Sequence, residues 1–293
     1  MMIRFAMIIV LVCYAGIINV QAAEYGVALA PTPVLNSPDF KAVFGGANGR
    51  MLKVDRCGQV RELEFIALPG TVFTIMKKIN SGSNAIYQVE TDEYAVPPRV
   101  KLYIDSRFVR LSHIAPQSRK KSLPPRGEVV AKLREAIGSS YVWGGNVKNG
   151  VPELSAWFYQ DSMAGIDKQL ALAGLDCSGL LYSATGGWTP RNTSQLLAFG
   201  QGVVVAGKSP TEIVSTLQPL DLIVWNGHVI IVLDQQTAIE SRLECGKPGQ
   251  GGVVVTPLPT RIAEIMHARK PVNAWQGDGK RRDIFVVRRW YGI

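Results

Sequence analysis

The sequence predicts an α+β protein in which a small β unit precedes a mixed unit of helices and strands. Three observations carry this. Short runs of β-branched and aromatic residues, broken by turn residues, recur between residues 61 and 111. A Pro-rich basic break follows at 116–126 (PQSRKKSLPPR). Beyond it the apolar spacing becomes helical, and a series of strand-like runs comes after. A chain of 293 residues fits one large or two modest domains. With 47% hydrophobic and 19% charged residues the composition is globular, neither disordered nor collagen-like.

In chain order, Arg4 precedes an apolar run from Phe5 to Ile18, and small residues follow at Ala22 and Ala23. This is the pattern of a secretory signal peptide over 1–23, cleaved after Ala22 or Ala23. The run is shorter than the ~20 residues of a membrane-spanning helix. No later segment reads as transmembrane, so no membrane anchor is expected after cleavage. Residues 24–50, rich in Pro, Gly and Ala, read as an irregular lead-in. Strands are expected at Leu63–Ala67, Thr71–Ile75, Ile86–Val89, Leu102–Ile104 and Phe108–Leu111, with a loop over 80–84. Such a set makes a small β-barrel or sandwich over 24–115. Residues 116–126 read as a linker with Lys120 and Lys121 in solvent. The second domain, 127–293, opens with a helix carrying Val129, Val130, Leu133, Ala136 and Ile137, stopped by Gly138. Residues 149–170 read as an insertion, helical toward its end. A second helix is expected over 175–184, ended by Gly186 and Gly187, and then strands at 203–206, 222–225, 228–233, 238–241, 253–256 and 284–290.

Cysteines and charge bound the chemistry. Removing residues 1–23 takes away Cys13 and leaves Cys57, Cys177 and Cys245, an odd number, so in an oxidising compartment at least one thiol stays unpaired within the chain. Whether Cys57 and Cys245 pair is open at this level. Four cysteines in 293 residues exclude a disulfide-stapled scaffold. The net charge is +9 and drops by one with Arg4, which points to an anionic partner. Neither metal-ligand spacing of the HxxEH or CxxC kind nor a phosphate loop is present, so neither a metal nor any other cofactor is expected. No nucleic-acid-binding module is visible, and export argues against that partner too. The tryptophans at 143, 157, 188 and 225 are scattered over different elements and read as packing residues.

Cys177, in LDCSGL, opens an apolar helical stretch, where the positive end of the helix dipole favours a thiolate, the nucleophilic form. Taken alone, a cysteine there is more often a buried structural residue. His228 opens the run HVIIVL and can reach a helix N-terminus on a facing layer as general base and acid. His113 and His267 have no comparable setting. Glu240 follows His228 after a turn at 234–236, so a hairpin would return its carboxylate to the far imidazole nitrogen and fix the tautomer. The plain alternative is a surface carboxylate.

YVWGG, LDCSGL, TPRNTSQ, PLDLIVW and HVIIVL, with the polar residue at 240, stand in an order that resembles the NlpC-type cell-wall peptidases, papain-like bacterial cysteine hydrolases, over residues 126–293. LPGTVFTI, IYQV and LYIDSRFVRL similarly resemble a bacterial SH3-like domain. The resemblance implies helices packed on an antiparallel sheet, with Cys177 as nucleophile, His228 as base and acid, and Glu240 as orienter. It implies that Tyr141 lies beside the nucleophile and assists substrate or oxyanion binding. In family members that require a free stem-peptide amine, the residues matching Asp176 and Ser178 bind it, and whether this chain has that requirement is open at this level; Asp176 equally suits a helix N-cap. Arg191 is expected to order its loop and touch substrate. The partner implied is the peptidoglycan stem peptide, and the place is secreted or periplasmic. Two departures stand out: Glu240 replaces the commoner His, Asn or Gln, and Leu220 in PLDL replaces a Gly. A non-catalytic wall-binding protein and an acyltransferase on the same core are the alternative functions.

Overall fold

Two antiparallel sheets, each set by alternating or continuous apolar runs, organise the chain. The computed structural model describes residues 24–81, 84–160, 168–246, 251–276 and 281–292, so the signal-peptide reading at 1–23 lies outside the described residues. The first sheet is built from β1 (Glu24–Ala28), β2 (Thr32–Leu35), β5 (Leu63–Ala67), β6 (Val72–Ser81), β7 (Asn84–Glu90), β8 (Leu102–Asp105) and β9 (Val109–Ser112). Helix α1 (Phe40–Val43) and the two-residue strands β3 (Phe44–Gly45) and β4 (Met51–Leu52) lie between β2 and β5. Strand order is β5-β2-β8-β7-β6-β1-β9. Residues 24–50 are therefore no irregular lead-in. β1 pairs with both β6 and β9, and β2 pairs with β5 and β8. Their short apolar pattern is masked by Gly and Pro, and tertiary pairing outweighs that local signal.

The second unit opens with α2 (Arg126–Glu135), a small ladder of β10 (Asn146–Val147) on β11 (Gly174–Leu175) with α3 (Glu153–Phe158) between them, and α4 (Cys177–Ala184). Helix α5 (Thr193–Leu196), β12 (Gln201–Gly202) and α6 (Pro210–Thr216) follow. The second sheet continues through β13 (Leu222–Trp225), β14 (His228–Val232), β15 (Thr237–Leu243) and β16 (Gly251–Pro257), and closes after α7 (Leu258–Ala268) and β17 (Lys270–Pro271) with β18 (Ile284–Arg289). Its order is β12-β18-β13-β14-β15-β16, with β17 beside β18 in the one parallel pairing among the described residues.

Alternation along these strands feeds two cores. Leu222, Val224, Val229, Ile231 and Ile239 pack under α2 and α4. Ile223, Trp225, Ile230, Val232 and Ala238 pack under α6 and α7. The sheet is thus covered by helices on both faces, which explains why its strands read as nearly continuous apolar runs.

Three local expectations are corrected, and a fourth falls mostly outside the described residues. Residues 203–206 are not a strand: the backbone N–H groups of Val205 and Ala206 donate to Asn273 Oδ1, both at 2.8 Å, instead of to a ladder. In the insertion, the described helix is α3, nearer its start, while 168–170 form a turn and 161–167 lie outside the described residues. The second helix starts at Cys177 rather than 175, because Leu175 belongs to β11. Lys121 is not simply in solvent; its Nζ lies 3.0 Å from buried Glu93, which also takes Arg119 at 3.0 Å and the Tyr182 hydroxyl at 3.1 Å. The basic stretch is a strap pinned across both units.

Leu220 keeps the left-handed backbone that Gly adopts freely, with φ +72°. An L-residue there carries about 1–2 kcal/mol of strain. The turn holds because Leu220 is buried, its N–H donates to Val232 O (2.8 Å), and its carbonyl accepts from Trp290 Nε1 (2.7 Å).

The units share a core. Val151, Leu154 and Leu172 pack with Phe40, Phe44, Leu63 and Ile66 of the first unit. Cys57 and Cys245 form a disulfide across a sequence separation of 188 residues, tying the first unit to the end of β15. Constraining so long a loop stabilises a protein by about 2–4 kcal/mol. Urea unfolding of Cys57→Ser/Cys245→Ser, in a Cys177→Ala background that prevents thiol exchange, is expected to show a loss of that size against the Cys177→Ala parent.

Candidate functional site

Cys177 is the first residue of α4, and Asp176 caps that helix by accepting from Gly179 N at 2.6 Å. The thiol is buried at 7% exposure and is the one free cysteine among the described residues. Its Sγ lies 3.6 Å from Thr193 Oγ1 and 3.9 Å from the Gly227 carbonyl.

Beneath Cys177 sits a buried polar network. Arg191, 2% exposed, puts Nη2 2.6 Å from Asp176 Oδ2 and Nη1 3.1 Å from Oδ1. The same Nη1 donates to Ser178 Oγ at 3.0 Å, and Nε donates to Asn146 Oδ1 at 3.0 Å. Asn146 in turn behaves as a strand neighbour of β5: its Nδ2 donates to Ile66 O (2.8 Å) and its Oδ1 accepts from Ile66 N (3.0 Å). Asp176, Ser178 and Arg191, the expected substrate-binding residues, are thus gathered at the helix start and bonded to one another.

His228 reaches this helix end from β14. Its Nε2 lies 2.7 Å from Glu240 Oε2, which leaves Nδ1 for the sulfur. The hairpin that brings the two together is stabilised at its turn by Asp234 Oδ1, which accepts from Gln236 N, Thr237 N and Thr237 Oγ1 at 2.8–2.9 Å. Ile231 faces Ile239 across the hairpin. Extending that register puts His228 and Glu240 one diagonal apart on the same face, within reach of long side chains.

Burial alone would lower the imidazole pKa. Hydrogen bonding to Cys177 and Glu240, with their negative charge, outweighs burial and pushes it up to about 9. Burial likewise raises Glu240, yet His228 and Arg261 hold its carboxyl below the ordinary value. The arrangement sets a thiol at a helix start beside an imidazole that a carboxylate orients, the constellation that a nucleophilic cysteine uses.

Tyr141 lies near Asp176 and Cys177; burial first, then those two groups, drives its hydroxyl to titrate well above the ordinary range. It also lines a 450 Å³ cleft with Val60, Leu172, Leu243 and Cys57. His113 and His267 are exposed and lie on other elements. Trp157 packs on Phe108 and Trp188 against Trp290, while Trp143 is 40% exposed with the Arg61 guanidinium 4.4 Å above its ring. Among the described residues no cluster of His, Cys, Asp and Glu could hold a metal ion. Sequence reasoning passed over Asn146, Thr193 and Arg261. The first two stand beside recognised motifs, after WGG and within PRNT; Arg261 carries no local signal.

No family model and no curated protein matches the chain. Among solved structures, an NlpC/P60 family protein from Bacillus cereus ATCC 10987 is similar over 92% of this chain at 15% identity and TM-score 0.33; the chain spans 64% of that protein's length. NlpC2 from Trichomonas vaginalis is similar over 92% of this chain and 72% of its own, at 13% identity and TM-score 0.30.

The raised imidazole pKa has a stability consequence. Folding takes up a proton on His228, so this contribution is complete below the ordinary value of 6.5 and is lost as pH climbs through about 9. NMR titration of the His228 imidazole is expected to give a midpoint near 9 that falls in Glu240→Gln. The melting temperature is expected to drop between pH 6.5 and 9, less steeply in that variant.

Proposed function

We propose that the protein is an exported peptidoglycan hydrolase that cleaves an amide bond of the stem peptide through a cysteine nucleophile. The observation that carries this reading is the convergence of Cys177 at a helix start, His228 at a strand mouth and Glu240 on the returning strand. The stem-peptide substrate, and the D-γ-glutamyl–diamino acid bond in particular, come from the motif resemblance. Export is supported by the Cys57–Cys245 disulfide, which persists in oxidising compartments. No described helix is long and apolar enough to cross a membrane. The basic charge suits anionic envelope polymers.

In this mechanism the Cys177 thiolate attacks the scissile carbonyl carbon. The developing oxyanion is held by backbone N–H groups at the start of α4. As the C–N bond breaks, His228 gives its proton to the leaving amine, and a thioester joins Cys177 to the acyl fragment. Neutral His228 then takes a proton from water, whose oxygen attacks the thioester; the S–C bond breaks and the carboxylic product leaves. Tyr141 guides the substrate beside the nucleophile. The β unit, read as SH3-like, positions the peptide or restricts access.

Cys177→Ala is expected to abolish release of peptide fragments from defined muropeptides, scored by mass spectrometry, while leaving the fold intact. Retained cleavage would remove the nucleophile assignment. Sacculus binding without any cleavage by the unaltered protein would favour a non-catalytic wall protein, and products carrying a transferred acyl group would favour an acyltransferase.

A further inference from the structure

Glu240 is held from two sides. Its side chain has no exposed surface, so protein groups rather than water surround it. On one side is His228. On the other, Arg261 of α7 places Nη2 3.0 Å from Oε2 and Nε 2.8 Å from Oε1. Arg242, on the same strand as Glu240, lies farther off, with Nη1 4.0 Å from Oε1. Each arginine has an outward acidic partner: Glu264 at 2.9 Å from Arg261 and Glu244 at 3.2 Å from Arg242. Facing His228 from α4 is Cys177, and the Trp225 ring stands 5.0 Å from the imidazole, with the Arg269 guanidinium 4.4 Å from that indole.

A buried carboxylate needs a counterion at every stage of a proton-transfer cycle. Imidazolium supplies one when His228 is protonated, and neutral imidazole does not. Arginine stays charged throughout. We propose that Arg261 is a positioning residue of this site: it serves as the permanent counterion of Glu240, keeping the carboxylate ionised and its Oε2 turned to His228 in both protonation states of the imidazole. α7 thereby contributes to the chemistry through Glu240. In the proposed reaction this matters most once His228 has given its proton to the leaving amine and must act as a base.

The sign of the effect follows. Without Arg261, neutral His228 would leave Glu240 only the more distant Arg242, itself paired with Glu244, so the His228–Glu240 pair would hold its proton more tightly. This inference deepens the cysteine-hydrolase reading and rests on it, but its test uses the resting full-length protein without substrate. Failure to cleave muropeptides would therefore count against that reading and not against the Arg261–Glu240–His228 coupling. The imidazole of His228 is titrated by NMR in the unaltered protein, Arg261→Met, Arg261→Lys, Glu240→Gln and the Arg261→Met/Glu240→Gln double variant, with iodoacetamide alkylation of Cys177 followed over the same pH range. Arg261→Met is expected to raise the midpoint by about one unit, the size of effect that one nearby charge exerts. Arg261→Lys is expected to restore most of it. In the Glu240→Gln background the Arg261→Met shift is expected to fall below about a third of its size, since contacting residues are non-additive. The high-pH limb of alkylation is expected to follow the same order. Arg261→Gln, which keeps a donor but not the charge, carries the same expectation should Arg261→Met fail to fold. An unshifted midpoint in a folded, charge-removed variant, or an equal shift with and without Glu240, would overturn the proposal.

Discussion

The Arg191–Asp176 ion pair is the contact on which the rest of the site depends. It is buried, bidentate and shared with Ser178 and Asn146, so a single guanidinium fixes the cap of α4, the residue after Cys177 and the bridge to β5. Removing one member of such a buried set leaves uncompensated charge, a loss of about 3–5 kcal/mol. Its position gives that energy a direction. Asp176 must both cap the helix and answer Arg191, which fixes the angle at which α4 starts and so the place of the Cys177 sulfur. Through Asn146 the same network registers α4 against the first sheet, so the β unit is part of the site's scaffold rather than an appended module.

A second constraint acts from the opposite side. The β14–β15 hairpin is pinned at its turn by Asp234 and at its flank by the apolar cover of α6 and α7. A slip of one residue would send His228 and Glu240 to the other face. The residues that keep the register, Ile230, Val232 and Ala238, are fully buried, so the hydrophobic pattern that folds the sheet also sets the spacing between base and carboxylate. Cys177 on its helix and His228 on its strand meet because α4 and β14 pack in a common core through Leu180, Leu181, Val229 and Ile231.

Much of this was legible in the sequence, for a physical reason. Strands buried on both faces, such as Leu222–Trp225 and His228–Val232, are continuous apolar runs that stand out without tertiary knowledge. Cys177 and His228 stood out because so few cysteines and histidines compete for the roles. β1 and β2 were obscured because Gly26, Pro31 and Pro33 weaken the local strand signal that long-range pairing restores. α6 is a different case. Ser209-Pro210-Thr211-Glu212 is a full capping box with Pro at the first turn, and the signal was available. The placement of Arg261 beside Glu240 was not. Its helix shows in Leu258, Ile262 and Ile265, but its bond to Glu240 spans 21 residues and an intervening strand. Arg191 and Asn146, 45 residues apart, are beyond sequence patterning for the same reason.

The three cysteines among the described residues divide between two physical demands. Cys57 sits on a loop of the first unit that also carries Gln59, whose Oε1 accepts from the backbone N–H of Trp143 at 2.8 Å. The disulfide thus anchors, within two residues, the loop that steadies the segment running from Tyr141 to Asn146. That segment contributes Tyr141 to the cleft, and the Asn146 carboxamide to the network under the nucleophile. Cys177 is protected differently: it is buried, and its sulfur is surrounded by Thr193, the Gly227 carbonyl and His228. One pair of thiols is oxidised to hold the two units in register around the cleft. The third is free and buried, with an imidazole beside its sulfur.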